Sequence, residues 1–478
     1  MSTTPASAGA AAQDPKAPIP KQIPYIIGNE GCERFSFYGM RNILTVFLVS
    51  SLLMHLPEGD RAGAAKDVFH TFVIGVYFFP LLGGWLADRL WGKYNVIFWL
   101  SLVYCVGQAC LALFVDSRAG FYTGLFLIAL GSGGIKPCIS AFVGDQFDST
   151  NKHRAKVVFD AFYWIINFGS FFASLLMPIF LKQLGPAIAF GIPGALMFIS
   201  TVILWAGRKK YVMVPPAPPD PHSFLRVCWT ALRSDKPGLF LLGLGVAVSA
   251  CGFYALQGLE NIPKAVCLAI VAIVALGGIG VRLQLEGARG KHPDEAVEGV
   301  RGVLRVLVLF ALVTPFWSLF DQKASTWVLQ GKAMQPWHLF DAAALRESSP
   351  LLATVFGHFA TIEPSQMQAL NPLFVMLLIP FNNLVLFPAL RKLGFAVTAL
   401  RRMTLGIAFA ALSWVVIGWL QLSLDGGTAV NIAWQVLPYA LLTLGEVLVS
   451  ATGLEFAYSQ APQSMKGALM SFWLLSVT

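Results

Sequence analysis

The sequence predicts an all-α membrane protein that crosses the bilayer many times, and three observations predict it. Of 478 residues, 56% are hydrophobic and only 12% charged, where a water-soluble chain carries roughly 25% charged residues. Mean hydropathy is +0.66. Apolar stretches of the length a spanning helix needs, about 20 residues, recur from end to end. Segments such as 238–249 and 303–313, the latter apart from Arg305 near its start, are apolar on every face, whereas barrel strands alternate apolar and polar in runs of about ten. A spanning helix also satisfies every backbone N–H and C=O internally.

Taken in order, residues 1–24 are rich in Ala and Pro, lack a long apolar core, and read as a disordered cytoplasmic tail with no cleavable signal peptide. Spans follow at 25–54, 68–90, 94–115, 120–147, 156–182 and 187–207, a first six-helix bundle (25–207). The linker 208–237, Pro-rich at 214–221, leads to two further spans at 238–258 and 263–285, so 208–301 reads as a cytoplasmic linker with two additional transmembrane helices. Spans at 302–329, 367–390, 395–420 and 430–459 belong to a C-terminal bundle (302–478), interrupted by the polar stretch 331–366. Another span begins near 466 and is cut by the chain end, so this bundle is expected to be incomplete and the chain truncated.

With the N-terminus cytoplasmic, about 23 of the 34 Lys and Arg fall on cytoplasmic segments and about seven opposite, the bias expected of a multi-pass protein. The net charge of +9 therefore reads as basic loops, not as a nucleic-acid surface. The seven cysteines show no CxxC pair and read as small buried apolar residues; no metal site or cofactor is expected. The seven histidines are scattered, with His338 and His358 in the polar stretch. With no nucleophile elbow and no phosphate loop after a strand, the chain does not read as an enzyme. Two sets of spans form a pattern of transporters, which leaves the cargo open.

Four basic residues remain inside or at the ends of spans: Arg34, Arg41, Lys136 and Lys323. Ionisable groups there cost about 2.5–3.5 kcal/mol each on insertion scales and are functional suspects. In Asn29-Glu30-Gly31-Cys32-Glu33-Arg34, Glu30 and Arg34 are four apart and share a helix face, with Glu33 on the flank. Two carboxylates competing for one arginine have coupled titrations, which suits a protonation switch; the alternative is a fixed ion pair locking the first helix to its neighbours. Lys136 follows Gly131-Ser132-Gly133-Gly134-Ile135, glycines that let another helix approach closely. It needs a carboxylate partner, and Asp321 and Glu446 are the candidates that the sequence leaves unpaired; Asp321 at a span end has solvation as its plain alternative. In 83–93, Asp88 and Arg89 sit at a tight turn with a structural or gating role.

The stretch 83–93 resembles the loop between the second and third helices of the major facilitator superfamily. More specifically, Glu30-x-x-Glu33-Arg34-Phe35-Ser36-Phe37-Tyr38-Gly39-Met40-Arg41 resembles the ExxER motif of the proton-dependent oligopeptide transporters. So do the run from Phe159 to Phe171 around Tyr163-Trp164-Ile165-Ile166-Asn167, and Gly144-Asp145-Gln146-Phe147, Gly445-Glu446 and Phe472-Trp473. The resemblance implies a facilitator fold of two six-helix bundles with two extra helices between them. It implies a proton-coupled symporter of di- and tripeptides that is a monomer in a bacterial inner membrane.

Residue by residue, the resemblance implies proton coupling at Glu30, Glu33, Asp321 and Lys136. Arg34 and Lys136 are implied to engage the peptide carboxylate, and Glu446 and Asn371 its amino terminus, with Lys136 able to pair with Glu446. Tyr38, Tyr77, Asn167, Ser450 and Trp473 are implied to line the cavity, and Asp321 to bridge Arg41 as an extracellular gate. Phe37 replaces the first tyrosine of a Tyr-Tyr pair, Phe168 a smaller residue, and Ala451 the usual proline. Plant relatives carry nitrate and other solutes, so a same-fold transporter of another small solute is the alternative; a channel or receptor is a third.

Overall fold

The computed structural model describes residues 18–148, 151, 154–216, 218, 220–255, 264, 268–269, 271–349, 357–394, 398–460, 469, 472–473 and 475–476. The expected tail lies largely outside the described residues, as does most of the span expected from 466.

The chain divides into two compact units: Met1–Pro216, Pro315–Gly453 and Val477–Thr478 in one, Ala217–Thr314 and Leu454–Ser476 in the other. The helices in chain order are α1 (Ile23–Phe47), α2 (Glu58–Phe78), α3 (Pro80–Leu86), α4 (Lys93–Leu113), α5 (Arg118–Gly144), α6 (Ala155–Leu184) and α7 (Pro186–Ala206). Next come α8 (Phe224–Leu232), α9 (Gly238–Ala255), α10 (Gly278–Glu286) and α11 (Asp294–Asp321). The series ends with α12 (Thr326–Lys332), α13 (Ala342–Ser348), α14 (Leu370–Phe381), α15 (Phe387–Lys392), α16 (Ala399–Asp425) and α17 (Val436–Gln460). Among the described residues, ten helices are long and apolar enough to cross a membrane. The expected span 238–258 appears as α9, with a shorter apolar stretch, Gly238–Gly252; that at 263–285 is only partly described. Within 331–366, Trp337–His338 pairs antiparallel with Thr361–Ile362.

Polar groups decide how the first unit packs. α1 is buried on nearly all sides, because its polar residues find partners inside the protein. Asn29 donates to the Ser200 carbonyl at 3.0 Å and to its Oγ at 2.7 Å, and Ser200 Oγ donates back to the Asn29 carbonyl at 2.8 Å. Gln108 on α4 donates to Ser36 Oγ at 3.2 Å. Buried polar groups paired in this way hold register as well as energy. Gly83 touches α5 so closely that a Cβ there would sit 2.1 Å from the Gly134 carbonyl oxygen, so the glycines before Lys136 serve close approach. Large apolar side chains such as Trp99, Phe198, Val415 and Trp419 are more than half exposed, as a lipid-facing surface requires.

The Gly144-Asp145-Gln146 turn is a structural joint. Gln146 accepts from the Val212 N–H at 2.9 Å and from Gln22 at 3.2 Å, and donates to the Phe142 carbonyl at 3.0 Å. In the second unit, Gln284 on α10 donates to the Ala231 carbonyl at 2.6 Å, and Arg289 and Arg301 each bridge Glu286 and Glu298. His222 and His292 meet at 3.0 Å, and Thr230 meets His292 Nε2 at 2.8 Å. The cysteines correct their reading as uniformly buried: Cys138 is buried, Cys32, Cys105, Cys110 and Cys228 are half-buried, and Cys251 is exposed, since on a lipid-facing helix an apolar residue need not turn inward.

Candidate functional site

The charges inside the first unit gather in three groups. In the first, Arg34 Nε lies 2.9 Å from Glu30 Oε1 and also contacts Glu33 Oε2, all three side chains at most 7% exposed. The spacing of four along α1 places Glu30 under the guanidinium, as the sequence implies. The Nε–H meets no acceptor with hydrogen-bond geometry, so the pairing at this atom is one of charge. Ser132 on α5 reaches Glu33 Oε1 at 3.5 Å.

Lys136, one helical turn beyond Ser132 on α5, faces the same cluster. Its Nζ lies 4.2 Å from the Tyr77 ring centroid and 4.7 Å from that of Phe37. Arg34 and Glu33 are its strongest charged neighbours. Among the described residues it makes no direct ion pair, so the Lys136–Glu446 pairing implied by the resemblance is not formed in this structure. Phe37, where a tyrosine is usual, gives the ammonium a π face instead of a hydroxyl.

In the second group, Arg41 on α1 forms a buried ion pair with Asp321 at the end of α11, while its guanidinium lies 5.3 Å from the Phe69 ring centroid. Asp321 is thus paired and not simply solvated. Further bonds join the same end of α1 and α6 to the C-terminal part of this unit. Asn42 donates to the Ser365 carbonyl at 2.9 Å, Thr45 to the Ala324 carbonyl at 2.9 Å and Gln366 to the Leu175 carbonyl at 2.9 Å. Nearby, His70 Nε2 lies 3.1 Å from Ser325 Oγ, and Lys182 pairs with Glu363 at 2.5 Å.

The third group is centred on Asn371 of α14. Its Nδ2 donates to Glu446 Oε2 at 2.6 Å and to Thr443 Oγ1 at 3.0 Å, both on α17. Its Oδ1 accepts from Lys323 Nζ at 2.9 Å. The sequence places Lys323 in a span without giving it a role; the structure puts it in the site.

Tyr38 lies within electrostatic range of Arg34, Arg41 and Glu446, and so connects the groups. Tyr77 lies beside Asp321 and Arg41 as well as Lys136. Asn167 is buried, with Nδ2 donating to the Tyr163 carbonyl at 2.9 Å. Tyr163 itself, unassigned in the sequence reading, neighbours Glu446 and Tyr38; its position four residues before Asn167, on the same face, was the available signal. Ser450 lies one turn beyond Glu446 on α17. Trp473 belongs to the other unit, where its indole packs edge-on against Phe310 at 5.2 Å. At the turn after α3, Asp88 and Arg89 lie beside a direct ion pair between Lys93 and Asp145 at 2.6 Å. Among the described residues, no group of three or more His, Cys, Asp and Glu could hold a metal ion.

Residues 94–345 and 348–478 match the POT family profile. The chain belongs to the POT family. Among curated relatives, this POT-family chain is 31% identical over 428 residues to Peptide transporter 3 of Caenorhabditis elegans, covering 85% of this chain and 51% of that protein. It is likewise 31% identical over 450 residues to Solute carrier family 15 member 2 of Mus musculus, covering 91% and 54%. It thus spans about half the length of the curated relatives it matches. Among solved structures, it resembles the POT family transporter PepTSo with TM-score 0.84 and 60% identity, over 96% of this chain and 88% of that one. An auto-inhibited POT family peptide transporter gives TM-score 0.81 and 59% identity, over 96% and 86%. The fold is therefore the all-α facilitator fold that the sequence predicts, and the chain is a multi-pass membrane protein of the POT family.

Proposed function

We propose that this chain is a proton-coupled symporter that imports di- and tripeptides by alternating access. The reading makes it a monomer in a bacterial inner membrane with a cytoplasmic N-terminus, built from bundles at 25–207 and 302–478 with two helices in the 208–301 linker. It requires no cofactor beyond the proton. The observation that carries it is the separation of charge in one buried site: two cations, Arg34 and Lys136, beside Glu30 and Glu33, and a distinct acid, Glu446, presented with Asn371. A free peptide is a zwitterion, and such a site can hold both termini while leaving the side chains unread. Nitrate has no cation to offer Glu446, which disfavours the alternative solute. The relatives' description as peptide transporters and a related structure, 26% identical, in complex with alafosfalin support the same reading.

In this mechanism the peptide carboxylate competes with Glu30 and Glu33 for Arg34. A proton on either acid frees the guanidinium for substrate, so proton and peptide favour the same state. Protonation of Asp321 releases Arg41 and unfastens that end of the molecule, the extracellular gate in this reading. Tyr38, Tyr77, Asn167 and Ser450 line the cavity, and Asp88 and Arg89 stabilise the turn opposite the gate.

The test is uptake of labelled dialanine into proteoliposomes with the outside acidic. Accumulation that a protonophore abolishes, and that dipeptides but not nitrate compete, is the expected result. A verified gradient that drives no dipeptide uptake would overturn the assignment of cargo.

A further inference from the structure

We propose that Lys323 is a tethered cation that occupies the peptide amino-terminus subsite in the empty transporter, so that a peptide binds by displacing it. The inference rests on the peptide reading above and deepens it.

Lys323 is 5% exposed and sits on the tight turn Gln322–Ala324 after α11. Its ammonium lies 3.1 Å from the Phe320 ring centroid and donates to Asn371 Oδ1 at 2.9 Å. Among the described residues it forms no direct ion pair, so the amide oxygen is its polar anchor. A buried ammonium has three donors to satisfy and is costly to strand.

The Asn371 amide cannot turn to serve a second cation. Its nitrogen is committed to Glu446 Oε2 at 2.6 Å and Thr443 Oγ1 at 3.0 Å. Thr443 is itself fixed by donating to the Tyr439 carbonyl at 2.7 Å, and Tyr439 OH donates to the Lys323 carbonyl at 3.2 Å. A flipped amide would place its N–H groups against the ammonium. Asn371 therefore offers one acceptor, Oδ1, and Lys323 already holds it. A peptide ammonium seated between Glu446 and Asn371 needs that same oxygen, and two cations on one acceptor repel. Lys323 is thus a competitor that tunes affinity for a free amino terminus, and its release leaves Glu446 matched by the substrate's own charge.

The test compares binding of dialanine and N-acetyl-dialanine to the purified full chain at one fixed, mildly acidic pH, for wild type and for Lys323→Met, Lys323→Gln and Lys323→Arg. Both neutral variants should bind dialanine about tenfold more tightly, the scale of one charge-assisted hydrogen bond. Their affinity for N-acetyl-dialanine, which has no ammonium to seat, should stay at the wild-type value, and Lys323→Arg should keep wild-type affinity for both. Unchanged or weaker dialanine binding in both neutral variants would overturn the inference, as would an equal gain for the acetylated ligand. Wild type failing to bind either ligand would instead overturn the peptide reading on which the inference rests.

Discussion

Replacing Asp321 by Asn imitates its protonated form and should open the end of the molecule that Arg41 holds shut. Arg41 and Asp321 are 7% and 4% exposed, so water screens their attraction little. Breaking a buried ion pair by removing one charge costs about 3–5 kcal/mol. The Phe69 ring 5.3 Å from the guanidinium returns about 0.5–2 kcal/mol. The net loss is about 1–4.5 kcal/mol, roughly a 5- to 2,000-fold shift in the ratio of closed to open molecules. The Asn42–Ser365 and Thr45–Ala324 bonds remain, each worth about 1 kcal/mol, so opening should be partial and the fold intact. Spin labels at the exposed positions Ser50 and Lys332, which line one cavity at this end, report the separation by pulsed electron resonance. Wild type should give a short distance and Asp321→Asn a new, longer population. An unchanged distance distribution would show that this pair does not hold the end closed, and the gating argument would fail.

Other consequences are as direct. Glu33→Gln and Lys136→Ala should each abolish gradient-driven dipeptide uptake while counterflow of peptide without a gradient persists for at least one of them; driven uptake surviving both changes would show that coupling lies elsewhere. Gly83→Leu should lower the melting temperature steeply, because its first side-chain carbon already meets the Gly134 carbonyl at 2.1 Å, whereas Gly59→Ala, with nothing within 4 Å of the added carbon, should leave it within a few degrees. Burial, reinforced by His222, holds His292 below the ordinary imidazole pKa. A group depressed in the folded state contributes stability above its unfolded pKa and loses it as pH falls through the folded one. Hydrogen-exchange protection over 220–234, taken relative to the intrinsic exchange rate at each pH, should therefore fall below about pH 6.5 in wild type and lose that dependence in His292→Gln; a protection factor independent of pH in wild type would contradict the contact's role.

The sequence carries the fold well because a bilayer constrains it so strongly: an apolar stretch of spanning length has few structures open to it. The Glu30–Arg34 contact was equally legible, since it lies within one turn of one helix. Contacts between distant helices were not. Nothing in the chain says that Lys323 meets an asparagine 48 positions on, or that Lys136 rests on Tyr77 and Phe37 instead of joining Glu446. Such partners depend on how helices from the two halves approach, which the family resemblance supplied for Arg41–Asp321 and not for Lys323. The Lys93–Asp145 bridge beside the expected Asp88 and Arg89 is of the same kind. Tyr163 escaped because an aromatic in an apolar helix is ordinarily packing, and only its position relative to Asn167 marks it otherwise.

The central claim is that peptide and proton move together, and lumenal pH tests it most directly. Proteoliposomes carrying a trapped pH-sensitive dye, with equal pH on both sides and the membrane potential clamped at zero, would receive dialanine outside. The account predicts that dialanine acidifies the lumen, that Glu33→Gln vesicles stay neutral, and that N-acetyl-dialanine gives a weaker signal. Dialanine entering, as shown by label, without any acidification would contradict it and make the protein a passive carrier of peptide.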